Sequence, residues 1–102
     1  MLRTLLCLPL LLVAAPLPAS APAAWAQLNR QVDRACRTAA GLQRARVQAD
    51  KASFDDTVPI ELRIVEGYNR GGVVDVKLCA YNRRTGRVAI TDGVGRLGVH
   101  RR

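Results

Sequence analysis

Aromatic residues and histidine are scarce in this chain, and their scarcity limits the functions it can carry. The 102 residues include one Trp, one Phe, two Tyr and a single His. Recognition of nucleobases depends on stacking against aromatic rings, so the composition argues against a nucleic-acid ligand. A Ser–His nucleophilic pair would have to combine Ser53 in a loop with His100 near the C-terminus, which is a poor arrangement. We therefore predict that the protein is not an enzyme.

Phosphate-loop and metal-site patterns are also missing from the sequence. Gly71-Gly72, and the later pair Gly93 and Gly95, lack the helix and lysine that follow the glycines of a phosphate loop. A metal site would need ligands beyond the cysteines, and only His100 is available. The sequence predicts no cofactor and no metal.

The first 26 residues have the pattern of a secretory signal peptide. Arg3 supplies the positive region, Leu5–Ala15 a short apolar core, and Ala24–Ala26 a small-x-small cleavage site. Prolines interrupt the apolar run at about half the roughly 20 residues that a membrane span requires. We expect residues 1–26 to be removed after Ala26, with cleavage after Ala21 as the alternative. The mature chain is then periplasmic or secreted and has no transmembrane segment.

The predicted mature chain of about 76 residues is small for a stable core of its own. It retains two cysteines, Cys36 and Cys79, which in an exported domain are most simply a disulfide. A bond closing a loop of about 44 residues would contribute about 4 kcal/mol. A redox-active pair would instead be spaced as Cys-x-x-Cys.

Residues Leu28 to Ala40 have the periodicity of an amphipathic helix. Four apolar positions form one stripe: Leu28, Val32, Ala35 and Ala39. Three arginines fall on the opposite side, where we expect solvent: Arg30, Arg34 and Arg37. Cys36 lies on the flank of the stripe. Gly41 is placed for a left-handed C-terminal cap, after which Leu42 folds back onto the last turn.

After Gly41 the apolar residues alternate, which predicts strands. One strand carries Ile60, Leu62 and Ile64, the next carries Val74, Val76, Leu78 and Ala80, and a third carries Val88 and Ile90. A weaker strand spans Arg46–Ala52, and Phe54–Thr57 is a loop whose adjacent aspartates are turn formers. Asn82–Gly86 is a hairpin loop, with Gly86 at the positive-φ position.

These elements predict an α+β fold in which one N-terminal amphipathic helix packs on a three- to four-stranded antiparallel sheet. The domain covers residues 27–92. Residues 93–102 form a basic, glycine-rich tail, or else add an edge strand through Val94, Leu97 and Val99.

The position of Cys79 conflicts with a helix on the apolar face of the sheet. Strict alternation places Cys79 with Asp75 and Lys77, away from Val76 and Leu78. We expect a β-bulge near Cys79 to shift the register. There are two alternatives: the helix lies at the edge of the sheet, or both faces of the sheet are partly covered.

The residues around both cysteines resemble a known layout. Arg34–Arg37 in the helix, Val76–Asn82 in a strand and the Thr85–Val88 turn are similar to a class of small, uncharacterised secreted proteins of Gram-negative bacteria. The helix-strand-strand-strand order also resembles the PepSY domain, over roughly Val32 to Thr91. That resemblance implies a non-catalytic interaction or peptidase-inhibiting role in the cell envelope. It has no residue signature to transfer, and PepSY domains need not have the cysteine pair.

Two functional hypotheses follow. The first is a disulfide-stapled interaction module for a protein or peptide partner, with strand addition at a sheet edge as one mode of binding. The second is an envelope polyanion binder for lipopolysaccharide, anionic lipid or acidic glycan, because the formal charge of +8 falls only to +7 when Arg3 is removed. The candidate anion-binding residues lie in the hairpin and tail: Arg83, Arg84, Arg87, Arg96, Arg101 and Arg102.

Overall fold

The computed structural model describes residues 21–92, which contain one helix and a four-stranded antiparallel sheet. The elements are α1 (Pro22–Ala40), β1 (Gln43–Ser53), β2 (Ile60–Tyr68), β3 (Val74–Asn82) and β4 (Val88–Thr91). The strands lie side by side in chain order. The predicted α+β fold is confirmed, and the weakest predicted strand is β1, the longest of the four. The tail after Asp92 and the first 20 residues of the predicted signal peptide lie outside the described residues.

Helix α1 is stabilised by one buried row of side chains. Val32, Cys36 and Ala40 are buried at a spacing of four residues, so Cys36 lies at the centre of the stripe rather than on its flank. Ala39, predicted in the stripe, is exposed, whereas the three helix arginines are exposed as predicted. The helix ends at Gly41 with φ 63°, the predicted left-handed cap. No helix within residues 21–92 has the length and apolar character to cross a membrane.

The Cys36–Cys79 disulfide joins α1 to the centre of the sheet. Its sulfur atoms are 2.08 Å apart and its Cα atoms 5.7 Å apart, which is ordinary disulfide geometry. Both cysteines are fully buried within a small core. The core residues are Val32, Cys36, Ala40, Val65, Cys79 and Tyr81, with Leu28, Ala35, Leu42, Ala45, Val47, Val88 and Ile90 packed around them.

The helix covers the more polar face of the sheet, and the predicted bulge near Cys79 is wrong. The pairing of β2 with β3 runs without interruption from Ile60↔Asn82 to Tyr68↔Val74. Cys79 is therefore on the face that includes Arg63 and Val65, and the disulfide holds α1 over that face. Since neighbouring residues of a strand point to opposite sides, the alternating apolar residues of β2 and β3 lie on the other face. The prediction that the helix covers the apolar residues of β2 and β3 was therefore wrong.

The irregular pairing is in β1 instead. The register between β1 and β2 shifts after Gln43 and again after Val47. Close to the first shift, a Cβ atom on Gly67 would lie 2.8 Å from both the Gln43 carbonyl oxygen and the Leu42 Cβ atom. The start of β1 thus crosses β2 at a distance that only glycine permits.

Candidate functional site

The predicted basic hairpin is built around the side chain of Asn82. Its Oδ1 atom accepts hydrogen bonds from the amides of Arg84 at 2.8 Å and Thr85 at 3.1 Å. The Gly86 amide donates to the Asn82 carbonyl at 2.8 Å, and Gly86 has φ 73°, as predicted for this position. The loop is therefore a rigid turn between β3 and β4.

The three hairpin arginines have different environments. Arg83 has a side chain only 13% exposed, with Nη2 3.0 Å from Asp56 Oδ1 and Nη1 3.7 Å from Glu61 Oε1. Arg84 is exposed and donates to the Asp56 carbonyl at 3.3 Å. Arg87 is exposed and forms no ion pair with any described residue. Arg83 is thus already neutralised, while Arg84 and Arg87 present charge to solvent. The other three predicted arginines, Arg96, Arg101 and Arg102, lie outside the described residues.

A buried ionic network lies between α1 and the sheet. Arg63, 1% exposed, donates through Nε to Asp33 at 2.9 Å and through Nη2 to Asn29 at 2.9 Å. Its Nη1 atom donates to the Leu62 carbonyl at 3.0 Å and lies 3.5 Å from Glu61 Oε2. Glu61 is fully buried and also accepts a hydrogen bond from the Ser53 hydroxyl. The polar face of the sheet can therefore be covered because the helix supplies matching polar groups.

A groove of about 830 Å³ runs between α1 and the β3–β4 hairpin, and we name it the α1–hairpin groove. Small residues, Ala35, Ala39 and Gly86, leave room along its length. Tyr81 contributes a nearly buried ring whose hydroxyl accepts a 3.0 Å hydrogen bond from Gln31 Nε2. This hydrogen bond therefore links α1 to β3 across the groove.

The polar lining of the α1–hairpin groove is basic or neutral. Its polar side chains from the helix are Gln27, Arg30, Gln31, Arg34 and Thr38, and no carboxylate from the described part of the chain lines it. Arg30 and Arg34 are one turn apart, so they lie on one side of the helix. They were predicted as solvated arginines, and the structure shows them exposed beside the groove. The i, i+4 spacing of the two arginines was the available signal, but their proximity to Gly86 was not readable from the sequence.

The acidic loop before β2 behaves as a turn. The Asp55 carboxylate accepts hydrogen bonds from the Thr57 hydroxyl, the Thr57 amide at 3.0 Å and the Val58 amide at 3.4 Å. The Thr57 hydroxyl, followed by the two amides, lowers the pKa of Asp55 below its ordinary 3.8. Within residues 21–92, no three His, Cys, Asp or Glu side chains are grouped so that they could hold a metal ion.

Comparisons with known proteins give no match for this chain among family models, curated proteins or solved structures. The relationship to PepSY domains stays a prediction. The function must be argued from the groove, the sheet and the charges themselves.

Proposed function

We propose that the chain is an exported, non-catalytic interaction module that binds an anionic ligand in the α1–hairpin groove. The observation that carries this proposal is the lining of the groove, which includes Arg30 and Arg34 but no carboxylate from residues 21–92. The Cys36–Cys79 disulfide supports export, because such bonds persist mainly in oxidising compartments.

The charge pattern around the groove favours an anion. Arg30 and Arg34 repel each other across one helical turn. Neither forms an ion pair with a described residue, whereas the buried arginines Arg63 and Arg83 do. A bound anion would relieve the repulsion and accept charge-assisted hydrogen bonds from both guanidinium groups.

The dimensions indicate the class of ligand. The volume of the α1–hairpin groove lies within the range of roughly 300–1,000 Å³ that is typical of small-ligand sites. Four residues of helix separate the two arginines by about 6 Å along the axis, so two neighbouring anionic groups on one chain can each meet a guanidinium. Phosphate or carboxylate groups of envelope polyanions have this character: lipopolysaccharide, anionic lipid head groups and acidic glycans.

Three features support a non-catalytic role. Both Cys36 and Cys79 are consumed in the disulfide. The Ser53 hydroxyl donates to Glu61, and that carboxylate lies beside the side chains of Arg63 and Arg83. Each of these polar groups is therefore engaged in contacts within the fold.

The test compares two double variants that remove the same charge. Arg30→Gln/Arg34→Gln removes the groove arginines, and Arg37→Gln/Arg70→Gln removes two exposed arginines that do not line the groove. Calorimetric titration at about 50 mM salt would use alginate oligomers, tripolyphosphate and phosphatidylglycerol vesicles as separate probes. We expect the groove variant to bind its preferred probe about 10- to 100-fold more weakly. The control variant should stay within about 2-fold of the wild type, since only screened long-range attraction is lost.

Equal losses in the two double variants would contradict the proposal, because general surface charge would then explain binding. A third variant, Arg84→Gln/Arg87→Gln, measures the contribution of the hairpin. Arg83 is left intact in it, because its ion pairs with Asp56 and Glu61 make it part of the folded structure.

A protein partner bound by strand addition is the second candidate function. β4 pairs only with Leu78–Tyr81, so within the described residues the outer edge of Val74–Lys77 has no strand beside it. An extended peptide could pair with this edge through backbone hydrogen bonds. Such binding would be insensitive to the Arg30→Gln/Arg34→Gln change, which separates it from the anion-binding proposal.

A further inference from the structure

The face of the sheet opposite α1 is mainly aliphatic and is covered by no helix or strand of residues 21–92. We name this the open face. The residues that register places together on it from β2 and β3 are Ile60, Leu62, Ile64, Glu66, Tyr68, Val74, Val76, Leu78, Ala80 and Asn82. The Glu66 carboxylate is buried and forms an ion pair with Arg46. Ala52 of β1 and Ala89 of β4 extend it on either side. Its aliphatic side chains are half-buried, and Tyr68 is 38% exposed.

We propose that a second copy of this chain packs on the open face, so that two sheets form a face-to-face dimer. Largely apolar surfaces of a few hundred Å² on a small domain mark an interaction surface. Two copies of one twisted sheet have matching shape, and such sheets pack with aligned strands about 10 Å apart. The inference does not rest on the anion-binding proposal.

The size of the open face is near the lower limit for a specific dimer. The four strands have 11, 9, 9 and 4 residues. At about 3.4 Å per residue and about 4.8 Å per strand, they give a face of roughly 540 Å² per copy. Two such faces would together bury about 1,100 Å², close to the roughly 1,200 Å² at the lower end of stable interfaces.

The placement of charge favours a second copy over a lipid surface. A membrane-binding apolar face is rimmed by basic side chains. Here the exposed helix arginines, Arg30, Arg34 and Arg37, are on the other side of the sheet. Arg46, which shares the open face, forms an ion pair with the nearly buried Glu66. An anionic membrane would therefore attract the helix side and not the apolar side.

The position of the helix arginines also limits the repulsion between two copies of a basic protein. In a face-to-face dimer the two helices lie on the outside, with both sheets between them. Their arginines are then farther apart than the roughly 10 Å between packed sheets, and so beyond the Debye length of about 8 Å at physiological salt. Self-repulsion is largely screened in this arrangement.

Sedimentation equilibrium of the disulfide-bonded protein over about 5–500 μM tests the inference. We expect a dimer for the wild type and a monomer for Leu78→Glu, which buries a carboxylate at the centre of the interface. The matched control is Val73→Glu, at an exposed apolar position in the loop before β3. It should leave the dimer intact.

A milder variant separates loss of the dimer interface from loss of the fold. Ile64→Thr/Leu78→Thr places a β-branched residue of high strand propensity at both positions. Circular dichroism and disulfide content report whether the fold is retained. We expect its dimer dissociation constant to rise at least about 10-fold. A monomeric wild type at 500 μM, or a dimer lost in Val73→Glu but kept in Leu78→Glu, would overturn the inference. So would a chain that dimerises only after deletion of residues 93–102, since the tail would then be the occupant of the open face.

Discussion

Arg63 and Cys79 are cross-strand neighbours on the side of the sheet that α1 covers. Cys79 is bonded to Cys36 of the helix, and Arg63 reaches Asp33 and Asn29 of the same helix. A covalent link and an ionic link therefore hold the helix at adjacent points of the sheet. This double attachment explains how an amphipathic helix can remain on the more polar face while the mainly aliphatic face stays uncovered.

Removal of the disulfide is expected to destabilise the domain severely. For Cys36→Ser/Cys79→Ser we expect a loss of about 4 kcal/mol in the free energy of unfolding, because the unfolded chain regains the entropy of a long loop. Urea unfolding of the variant, with wild-type protein before and after reduction as the reference, measures the change. A loss below about 1 kcal/mol would mean that the ionic contacts alone position the helix.

Arg63→Ala is expected to lower the free energy of unfolding by about 3–5 kcal/mol, since it leaves the buried Glu61 carboxylate with only the Arg83 guanidinium beside it. The double variant Glu61→Leu/Arg63→Met should recover part of this loss, because no buried charge is then uncompensated. Arg70→Ala, at an exposed loop position, should change stability by no more than about 0.5 kcal/mol. If the double variant is no more stable than Arg63→Ala, the burial of the Glu61 carboxylate without Arg63 does not explain the loss of stability.

Gly67→Ala is expected to destabilise by about 1–3 kcal/mol through overpacking. The new Cβ atom would meet backbone and Cβ atoms of Gln43 and Leu42, which cannot rotate away. Gly71→Ala provides the comparison, because its nearest atom is the Oδ1 atom of the Asn69 side chain at 3.3 Å. Thermal unfolding of both variants should rank Gly67→Ala as the more damaging, and the reverse order would contradict the close crossing of β1 and β2.

Thr57→Val is expected to raise the pKa of Asp55 towards 3.8, since the Thr57 hydroxyl is the largest cause of its lowering. A carboxylate with a lowered folded-state pKa stabilises the fold above its unfolded pKa, and that stability is lost as the pH falls through the folded-state pKa. The wild type should therefore lose more stability than the variant on acidification below about pH 4. Carboxyl NMR titration measures the shift directly, with Thr38→Val as a control that should leave Asp55 unchanged.

Ala39→Phe is expected to weaken anion binding without altering charge, because the new ring occupies the α1–hairpin groove. Ala49→Phe adds the same ring at an exposed position of β1 outside the groove. We expect at least about a 10-fold loss of affinity for Ala39→Phe and little change for Ala49→Phe. Unchanged binding by Ala39→Phe would place the ligand elsewhere on the basic surface.

Local features of the fold were predictable because local chemistry decides them. The helix period, the alternation in β2 and β3, and the cap at Gly41 all depend on residues close in sequence. The Cys36–Cys79 bond was predictable because the predicted mature chain has no other cysteine to pair with.

The same patterns could not predict which face of the sheet α1 covers. Alternation shows that Leu62 and Arg63 point to opposite sides, but it does not say which side a helix covers. The outcome depends on contacts between Arg63 and residues of α1 about 30 positions away, Asn29 and Asp33. The α1–hairpin groove was missed for the same reason, since it exists only where the helix meets Gly86.

Helix α1 starts at Pro22, upstream of the expected cleavage point, and the residue just beyond that point, Gln27, lines the α1–hairpin groove. Cleavage after Ala26 would create a new chain terminus there. Its α-amino group, with an ordinary pKa near 8, would be largely cationic at neutral pH. The precursor and its processed product would then differ in charge at one end of the groove, so that proteolytic maturation, rather than folding, would complete the basic lining.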